Sequence, residues 1–540
     1  MGDCIMSPMK SGFVPALVLP LSLAGGLWGC SPSTVGEATV GSAGVQYDRA
    51  AAPSVASMAS RPATLAPMPQ PAGDRFPEAT ANPVKLVTEE PVSTFAADVD
   101  TASYAVARRF LRQGMLPPAE AVRVEEMVNY FPYELPAVQD RDQPFSARVG
   151  IMPAPWNAEA KLMTVSIKAM SLEAGARPPL NLVLVIDVSG SMAGPDRLDL
   201  VKSSLRDFAR DLRPGDKVGI VVYAGAAEVK LEPTSDKDEI IDTIDGLSAG
   251  GSTAGGAGLK EAYDLVRRHY ARGAVNRVIL ATDGDFNVGN TDPSTLADFV
   301  EGQKKKGIYL SVIGVGVGNM NDLLMQAIAQ KGNGNAYYVD TALEGRKVLR
   351  EEAASTLIPV ADDVKFQVEF NPARVSQYRL IGYETRALAR EDFNDDKVDA
   401  GDVGSGASVT AIYEIVPAGG RTAIDPLRYG FAGPLPVRKH GDEFALLRIR
   451  YKLPGNSTSR LIERPVTSRD EVSSLAQASE DQRFQAAVAA YAQKLAGASQ
   501  VADLSWDEIA NLADGARGRD PEGYRAEFVQ LVRTVDGLAP

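Results

Sequence analysis

The residues of this chain best suited to chemistry are five oxygen-bearing side chains in three short, separate motifs. Asp187, Ser189 and Ser191 alternate in Asp-Val-Ser-Gly-Ser, Thr253 ends Gly-Gly-Ser-Thr, and Asp283 stands in Thr-Asp-Gly. Two carboxylates and three hydroxyls are hard donors, which suit Mg²⁺, Mn²⁺ or Ca²⁺ rather than a soft metal. The glycine between the two serines eases a tight turn that would aim three oxygens at one point. The set predicts a divalent-cation site.

The composition excludes several other kinds of site. The chain has 540 residues, but only two cysteines and two histidines. Because Cys4 and Cys30 are both near the N-terminus, the bulk of the chain has no disulfide and no cysteine metal site. His269 and His440 are far apart in sequence, which excludes a multi-histidine zinc site. A net charge of −13 argues against nucleic-acid backbones or anionic lipid as the main partner.

An alternating series of strands and helices must position the three motifs. Residues 182–186 form a continuous apolar run, as expected of a strand buried on both faces of a parallel sheet. Apolar residues spaced three and four apart then predict a helix over 198–212. Further strands are predicted at 218–223, 277–282, 309–314 and 336–339, and helices at 240–247, 254–268, 296–305 and 323–328. This order predicts a doubly wound α/β domain with its ligand at the C-terminal ends of the strands, where all three motifs fall.

With the motifs in this order, the segment resembles a von Willebrand factor type A (VWA) domain with a metal-ion-dependent adhesion site. The family pattern has an Asp-x-Ser-x-Ser loop, a threonine before the third helix, and an aspartate at a strand end. All five positions match, about 66 and 30 residues apart. The resemblance implies that Ser189, Ser191 and Thr253 contact the ion directly, and that Asp187 and Asp283 act largely through water. It also implies an electrophilic ion whose open position a partner's carboxylate completes.

Two further features near the site have alternative interpretations. Asp285 is a candidate outer-shell acceptor, although a simple turn residue in Asp-Gly-Asp is the favoured interpretation. Residues 314–319, Gly-Val-Gly-Val-Gly-Asn, are similar to a dinucleotide motif, but the last position is not glycine and the motif lies late in the domain. No histidine or paired carboxylate stands near the five ligands in sequence to act as a base. We therefore predict neither an enzyme nor a nucleotide-binding protein.

The first 29 residues are predicted to be a lipoprotein signal peptide. An apolar run over 13–28, short for a membrane span, leads to Leu-Trp-Gly-Cys, which resembles a bacterial lipobox. Cys30 is the expected lipidation site, and the following Ser31 implies the outer membrane in lipoproteins of this kind. A better signal begins at Met9 than at Met1, so both starts stay open. The alternative is a cleaved secretory signal with an incidental cysteine.

Composition and patterning divide the rest of the chain. Residues 30–85 are rich in Ala, Ser, Pro and Gly and are predicted to be a disordered tether. The flanks resemble the N-terminal and C-terminal domains, the latter of unknown function, of a family of bacterial VWA proteins. The predicted regions are a VWA N-terminal domain (86–145), a β-rich segment (146–179), the VWA domain (180–345), a β-rich C-terminal domain (346–470) and a helical region (471–540). The two β-rich regions are compatible with one β-sandwich interrupted by the α/β domain.

The predicted fold class is α/β: a doubly wound, Rossmann-like VWA domain flanked by a small N-terminal α+β region, a β-rich sandwich-like region and C-terminal helices. The predicted function is a membrane-anchored, divalent-cation-dependent protein-binding module of the bacterial envelope, facing the periplasm or the surface. Its expected partner is a protein that presents an acidic side chain to the metal. The alternative is an envelope assembly scaffold with a stabilising or vestigial metal site.

Overall fold

The structure, a computed structural model, describes residues 73–538 apart from short gaps. The gaps are 78–79, 98–99, 139, 173–176, 254, 285–292, 353–357, 397, 399 and 426–439. The predicted signal peptide, Cys30, Asp285 and most of the predicted tether lie outside the described residues. Among those that are described, no helix is both long enough and apolar enough to cross a bilayer.

The strands and helices of the described residues are numbered in chain order. The strands are β1 (Lys85–Leu86), β2 (Val92–Ala96), β3 (Phe145–Ala154), β4 (Asn157–Ala169), β5 (Leu180–Asp187), β6 (Lys217–Tyr223), β7 (Ala227–Thr234), β8 (Val275–Thr282), β9 (Ile308–Val315), β10 (Ala336–Val339), β11 (Pro359–Phe370), β12 (Val375–Ile381), β13 (Ala387–Leu388), β14 (Val403–Gly404), β15 (Ser408–Pro417), β16 (Glu443–Lys452) and β17 (Ser459–Thr467). The helices are α1 (Ala102–Arg112), α2 (Val124–Asn129), α3 (Leu198–Arg210), α4 (Lys237–Asp245), α5 (Gly255–Arg268), α6 (Pro293–Lys304), α7 (Asp322–Lys331), α8 (Ala342–Arg346), α9 (Glu480–Leu495), α10 (Trp506–Asp514) and α11 (Tyr524–Asp536).

The α/β domain is built on a six-stranded sheet with the order β10-β9-β8-β5-β6-β7. All neighbours are parallel except β6 and β7. Every residue of β5 and β8 is buried, because helices cover both faces of the sheet and form two apolar cores. This arrangement confirms the predicted doubly wound fold.

The β-rich regions form one sandwich around a single apolar core. One sheet has the order β1-β12-β15-β4-β3, and the other has the order β13-β2-β11-β16-β17. The α/β domain is therefore inserted between β4 and β11. Each sheet combines strands from before and after the insert, and β2 comes from the predicted N-terminal domain. These pairings join residues far apart in sequence, so the boundaries drawn from local patterns separate strands that the fold brings together.

Helix α1 lies between the α/β domain and the C-terminal helices. Its Ala102, Ala105 and Val106 pack in the core on one face of the α/β sheet. Its opposite side, including Tyr104 and Leu111, packs with α2, α9, α10 and α11 on the outer face of the first sandwich sheet. One helix thus contributes to two cores, which joins the domains into one body.

The end of the predicted tether is docked on the α/β domain. We call residues 73–77 the strap. Arg75 pairs in parallel with Asn321: its N–H donates to the carbonyl of Met320 (2.8 Å), and its carbonyl accepts from the N–H of Asp322 (3.1 Å). Asp74 forms a nearly buried ion pair with Arg109 on α1 (2.5 Å). The strap lies within the predicted tether of residues 30–85, and composition does not reveal these long-range backbone pairings.

Candidate metal site

The two predicted acidic ligands lie side by side at the C-terminal edge of the α/β sheet. Strands β5 and β8 are parallel neighbours, with Ile186 opposite Ala281. Asp187 is the last residue of β5, and Asp283 directly follows β8. The chain moves from β5 to one side of the sheet and later returns to the other side at β8, so the two carboxylates lie at the point where doubly wound folds bind ligands.

The first loop folds back on its own aspartate. One carboxylate oxygen of Asp187 accepts a hydrogen bond from the backbone N–H of Ser189 (2.8 Å), and the hydroxyls of Ser189 and Ser191 lie 3.0 Å apart. Asp187 and Asp283 are 0% and 1% exposed. Burial raises the pKa of Asp187, and the negative charge of Asp283 raises it further, while the Ser189 hydrogen bond opposes both effects. A nearby cation would stabilise these two charges.

The second motif, Gly-Gly-Ser-Thr, is held against the first by backbone hydrogen bonds. The N–H of Gly250 donates to the carbonyl of Val188 (2.7 Å), and the N–H of Gly190 donates to the carbonyl of Gly251 (3.0 Å). Thr253, half-buried, follows two residues later and precedes α5. Asp187, Ser189 and Ser191 are thus connected by direct contacts. Asp283 lies close enough for its charge to act on Asp187. The loop that leads to Thr253 is hydrogen-bonded to the serine loop.

Residues that no sequence motif indicates support this site from the side of β9. The guanidinium of Arg197 donates to the carbonyl of Ser191 and to that of Val317 (2.9 Å), joining the serine loop to the segment after β9. Gly284 has a φ of +92°, and a Cβ there would lie 2.5 Å from the Cα of Met320. Only glycine permits this close approach. The glycine-rich sequence at 314–319, considered above as a dinucleotide motif, is instead packed beside both metal-site loops.

The strap holds the same segment from the other side. One carboxylate oxygen of Asp74 accepts hydrogen bonds from the N–H groups of Gly318 and Met320, both at 3.0 Å. Its other oxygen pairs with Arg109, which also donates to the carbonyl of Gly316 (3.1 Å). A continuous set of contacts therefore runs from the strap, through residues 316–322, to the loops that carry Ser191 and Asp283.

Comparison with known proteins agrees with this architecture. A family model described as "von Willebrand factor type A domain" matches residues 181–350, and one described as "von Willebrand factor" matches residues 70–164. A third, "Uncharacterized protein YfbK, C-terminal", matches residues 355–538. The chain is 45% identical over 496 residues to the "Uncharacterized protein YfbK" of Escherichia coli (strain K12), which covers 90% of this chain and 85% of that protein. The chain belongs to the YfbK family of VWA proteins. The predicted family is confirmed.

Solved structures similar to this YfbK-family chain include "von Willebrand factor type A from Catenulispora acidiphila". It is 17% identical, covers 72% of this chain and 89% of its own, and has a TM-score of 0.41. Another is proximal thread matrix protein 1 from the mussel byssus "with zinc occupied MIDAS motif". It is 24% identical, covers 32% of this chain and 45% of its own, and has a TM-score of 0.28.

The donor chemistry of this YfbK-family site fits a hard divalent cation. VWA domains commonly mediate metal-dependent protein interaction and often bind a divalent metal. Among the described residues, no three or more Asp, Glu, His or Cys side chains cluster in a way that could hold a metal. Beside its two buried carboxylates the site offers the hydroxyls of Ser189 and Ser191, which lie 3.0 Å apart. Such a set suits Mg²⁺, Mn²⁺ or Ca²⁺ better than a soft metal.

Proposed function

We propose that this chain is a divalent-cation-dependent protein-binding module that is held in the bacterial envelope by a lipid on Cys30. The observation that carries the proposal is the burial of Asp187 and Asp283 beside each other at the C-terminal edge of the sheet. Burying two like charges is costly unless a cation or several hydrogen-bond donors compensate them. The serine hydroxyls beside Asp187 complete a set of oxygens suited to such a cation.

The donor set favours binding over catalysis. In this proposal Ser189, Ser191 and Thr253 contact Mg²⁺ (or Mn²⁺ or Ca²⁺) directly, and the two aspartates act largely through water. Neutral hydroxyls donate little charge, so the ion keeps a strong attraction for a further anionic oxygen. A carboxylate from a protein partner supplies that oxygen. Neither of the chain's histidines belongs to the site: His269 pairs with Glu232, and His440 pairs with Glu443.

The proposed location rests on the sequence before residue 73. The lipobox-like Leu-Trp-Gly-Cys30 and the following Ser31 support a lipid anchor in the outer membrane. The Ala-, Ser-, Pro- and Gly-rich sequence from residue 30 to the strap would let the folded part reach away from the membrane. Mass spectrometry of the membrane-extracted protein tests this: a lipid-modified N-terminal Cys30 is expected, and an unmodified N-terminus would contradict it.

The binding function is tested on the full chain with three matched samples. Proteins cross-linked to the native chain in the envelope are compared with Mg²⁺, with EDTA, and in an Asp187→Ala variant. Partner capture should require Mg²⁺ and should be lost in the variant. Asp199→Ala is the control, because Asp199 is an exposed carboxylate on the nearby helix α3. Capture that is indifferent to EDTA and to Asp187→Ala would show that the metal does not mediate binding.

The alternative, a scaffold whose metal only stabilises the fold, also has structural support. The metal-site loops contact residues 316–322, and these contact the strap, so an ion at the site would hold several chain segments together. Mg²⁺ would then raise the melting temperature of the isolated chain without any metal-dependent partner. Metal-dependent melting together with metal-independent partner capture would favour this alternative.

A further inference from the structure

Beside the candidate metal site, Arg197 carries a positive charge that its own contacts do not neutralise. Its guanidinium donates to the backbone carbonyls of Ser191 and Val317 (2.9 Å). Asp196 and Asp199, its exposed acidic neighbours in sequence, form no ion pair with it in the part of the chain that the structure describes. Because carbonyl oxygens carry no net charge, the charge of Arg197 stays without a counter-charge.

Other arginines near the site are paired differently. Arg109 forms an ion pair with Asp74, and Arg123 forms one with Glu126. Arg197 is partly buried, so water compensates its charge less well than it would at a fully exposed position. A partly buried cation without a counter-charge is unfavourable on its own, and an anion from outside the chain would relieve this cost.

The guanidinium of Arg197 is held in one orientation. Its two carbonyl contacts involve both terminal nitrogens, Nη1 and Nη2, and its side chain crosses Gly316, where a Cβ would lie 2.6 Å from Nε. A guanidinium has five N–H groups. Two of them donate to the carbonyls, and Nε is buried without an acceptor. The other two N–H groups, on the terminal nitrogens, have no acceptor among the described residues.

This fixed charge and the proposed ion would contact the same residue. Arg197 binds the backbone carbonyl of Ser191, and the Ser191 hydroxyl is a candidate ligand of the metal. A positive charge here would oppose cation binding, so Arg197 is poorly suited to serve the ion alone. It is better suited to attract an anion that approaches the occupied site, since a guanidinium forms strong hydrogen bonds with carboxylates.

From these contacts we infer that Arg197 determines the specificity of the site, and that the partner presents two neighbouring carboxylates, one for the metal and one for Arg197. The inference rests on the proposed metal-dependent binding and goes further by naming the group that the partner presents. A partner with one carboxylate would satisfy the ion but leave Arg197 unpaired. The site should therefore discriminate between singly and doubly acidic ligands.

The test measures how tightly simple carboxylates bind to the full chain loaded with Mn²⁺. This ion is paramagnetic and shortens the relaxation times of ligand protons bound next to it, so weak binding can be measured. Acetate is compared with succinate, glutarate and adipate, whose two carboxylates differ in spacing. We expect at least one dicarboxylate to bind at least about threefold more tightly than acetate per carboxylate group. The Asp187→Ala chain gives the background from Mn²⁺ bound elsewhere.

Variants at two arginines of the same region assign this preference. Arg197→Gln should abolish the preference for the dicarboxylate, whatever its effect on acetate. If Arg197 only braced the loops, its loss would change the binding of acetate and of the dicarboxylates by the same factor. Arg206→Gln is the matched control, because Arg206 lies on α3 and pairs with Asp245 in an exposed position. That variant should keep the preference.

The possible outcomes separate this inference from the proposed function. If the native chain binds no Mn²⁺ beyond the Asp187→Ala background, both are overturned. If Mn²⁺ binds, the inference alone is overturned when no dicarboxylate is preferred or when Arg197→Gln keeps the preference. Should Arg197→Gln lose Mn²⁺, Arg197→Lys decides. Its single ammonium group cannot keep both carbonyl contacts and also meet an anion, so the preference should fall, and an unchanged preference would overturn the inference.

Discussion

At the scale of single residues, the proposed metal site predicts that Asp187 has opposite effects on cation binding and on the stability of the metal-free chain. Its carboxylate is buried next to Asp283, and burial raises its pKa. The charge that attracts a cation therefore opposes folding when no cation is present. A neutral replacement should therefore lower cation affinity without lowering the stability of the metal-free chain. This combination distinguishes a carboxylate that serves the metal from one that serves the fold.

The corresponding prediction concerns Asp187→Asn. The amide keeps the size of the side chain and an oxygen that can accept from Ser189, but it removes the charge. Affinity for Mg²⁺, measured by calorimetric titration, should fall by about 10–100-fold. The free energy of unfolding in EDTA should stay equal or rise. A variant that is strongly destabilised in EDTA would show that Asp187 serves the fold rather than the ion.

Glu125 on α2 gives a pH-dependent prediction away from the metal site. It is buried, and burial together with the charges of Glu384 and Glu126 raises its pKa from 4.5 to about 7. Between these values the folded state keeps a proton that the unfolded state has released. The contribution of Glu125 to the free energy of unfolding is therefore fully present below pH 4.5 and is lost as the pH rises through 7.

We expect this loss to be on the order of 3 kcal/mol, because one pKa unit corresponds to about 1.4 kcal/mol. Urea denaturation at a series of pH values measures it. The Glu125→Gln variant should lose less stability than the native chain over this range. Glu120→Gln, an exposed control just before α2, should follow the native curve. Parallel curves for the native chain and Glu125→Gln would contradict the raised pKa.

At the scale of elements, the sequence predicts well where a pattern is local. The buried runs of β5 and β8 and the apolar face of α3 lie within a few residues of the loops they position, so both the doubly wound fold and its ligand edge can be predicted from them. The strap is different. Its hydrogen bonds join residue 75 to residues 320 and 322, and nothing in the composition of a short polar segment specifies a partner so distant.

The supporting residues of the site show the same limit. Gly284 is needed because the backbone of residues 319–321 passes within 3 Å of where its Cβ would lie, and that neighbour is set by tertiary packing. Arg197 has no distinguishing pattern at the start of α3, although it joins Ser191 to Val317. Sequence analysis therefore identified the candidate ligands but not the structure that holds them in place.

The contacts of the strap predict that a substitution at Asp74, outside the five candidate ligands, lowers the affinity of the site for Mg²⁺. Asp74→Ala removes the ion pair with Arg109 and two hydrogen bonds to residues 318 and 320. Breaking a nearly buried pair should cost about 3 kcal/mol of stability. Amide hydrogen exchange at 316–322 should accelerate, and Mg²⁺ affinity should fall about tenfold.

Two comparisons make the strap prediction specific. Asp74→Asn keeps an oxygen for the two N–H groups, so its effects should be intermediate. Glu90→Ala removes an exposed ion pair with Lys85 and should change stability by less than about 1 kcal/mol. Faster exchange at 316–322 with unchanged Mg²⁺ affinity would show that the strap does not support the metal site.

At the scale of the whole molecule, Arg108 on α1 connects the α/β domain to the C-terminal helices. It is fully buried and donates to Asp340 (2.5 Å) and Glu344 (2.7 Å) at the end of the α/β domain, and to Glu527 (2.8 Å) on α11. Tyr130 accepts a further hydrogen bond (3.2 Å). One guanidinium therefore bridges carboxylates from the α/β domain and from the C-terminal helices.

Arg108→Met should consequently destabilise the chain as a unit. The methionine fills much of the space, but it leaves Asp340 and Glu344 buried without this cation, which should cost about 3–5 kcal/mol. Arg112→Met is a matched control: Arg112 lies on the same helix and pairs with Glu527, but its side chain is 49% exposed, so the loss should be below about 1 kcal/mol. Urea unfolding followed by tryptophan fluorescence and by circular dichroism measures both.

If the junction couples the α/β domain to the C-terminal helices, the native chain unfolds with coincident transitions, and Arg108→Met shifts or separates them. Separate transitions in the native chain would mean that each part is stable alone and that Arg108 only joins them.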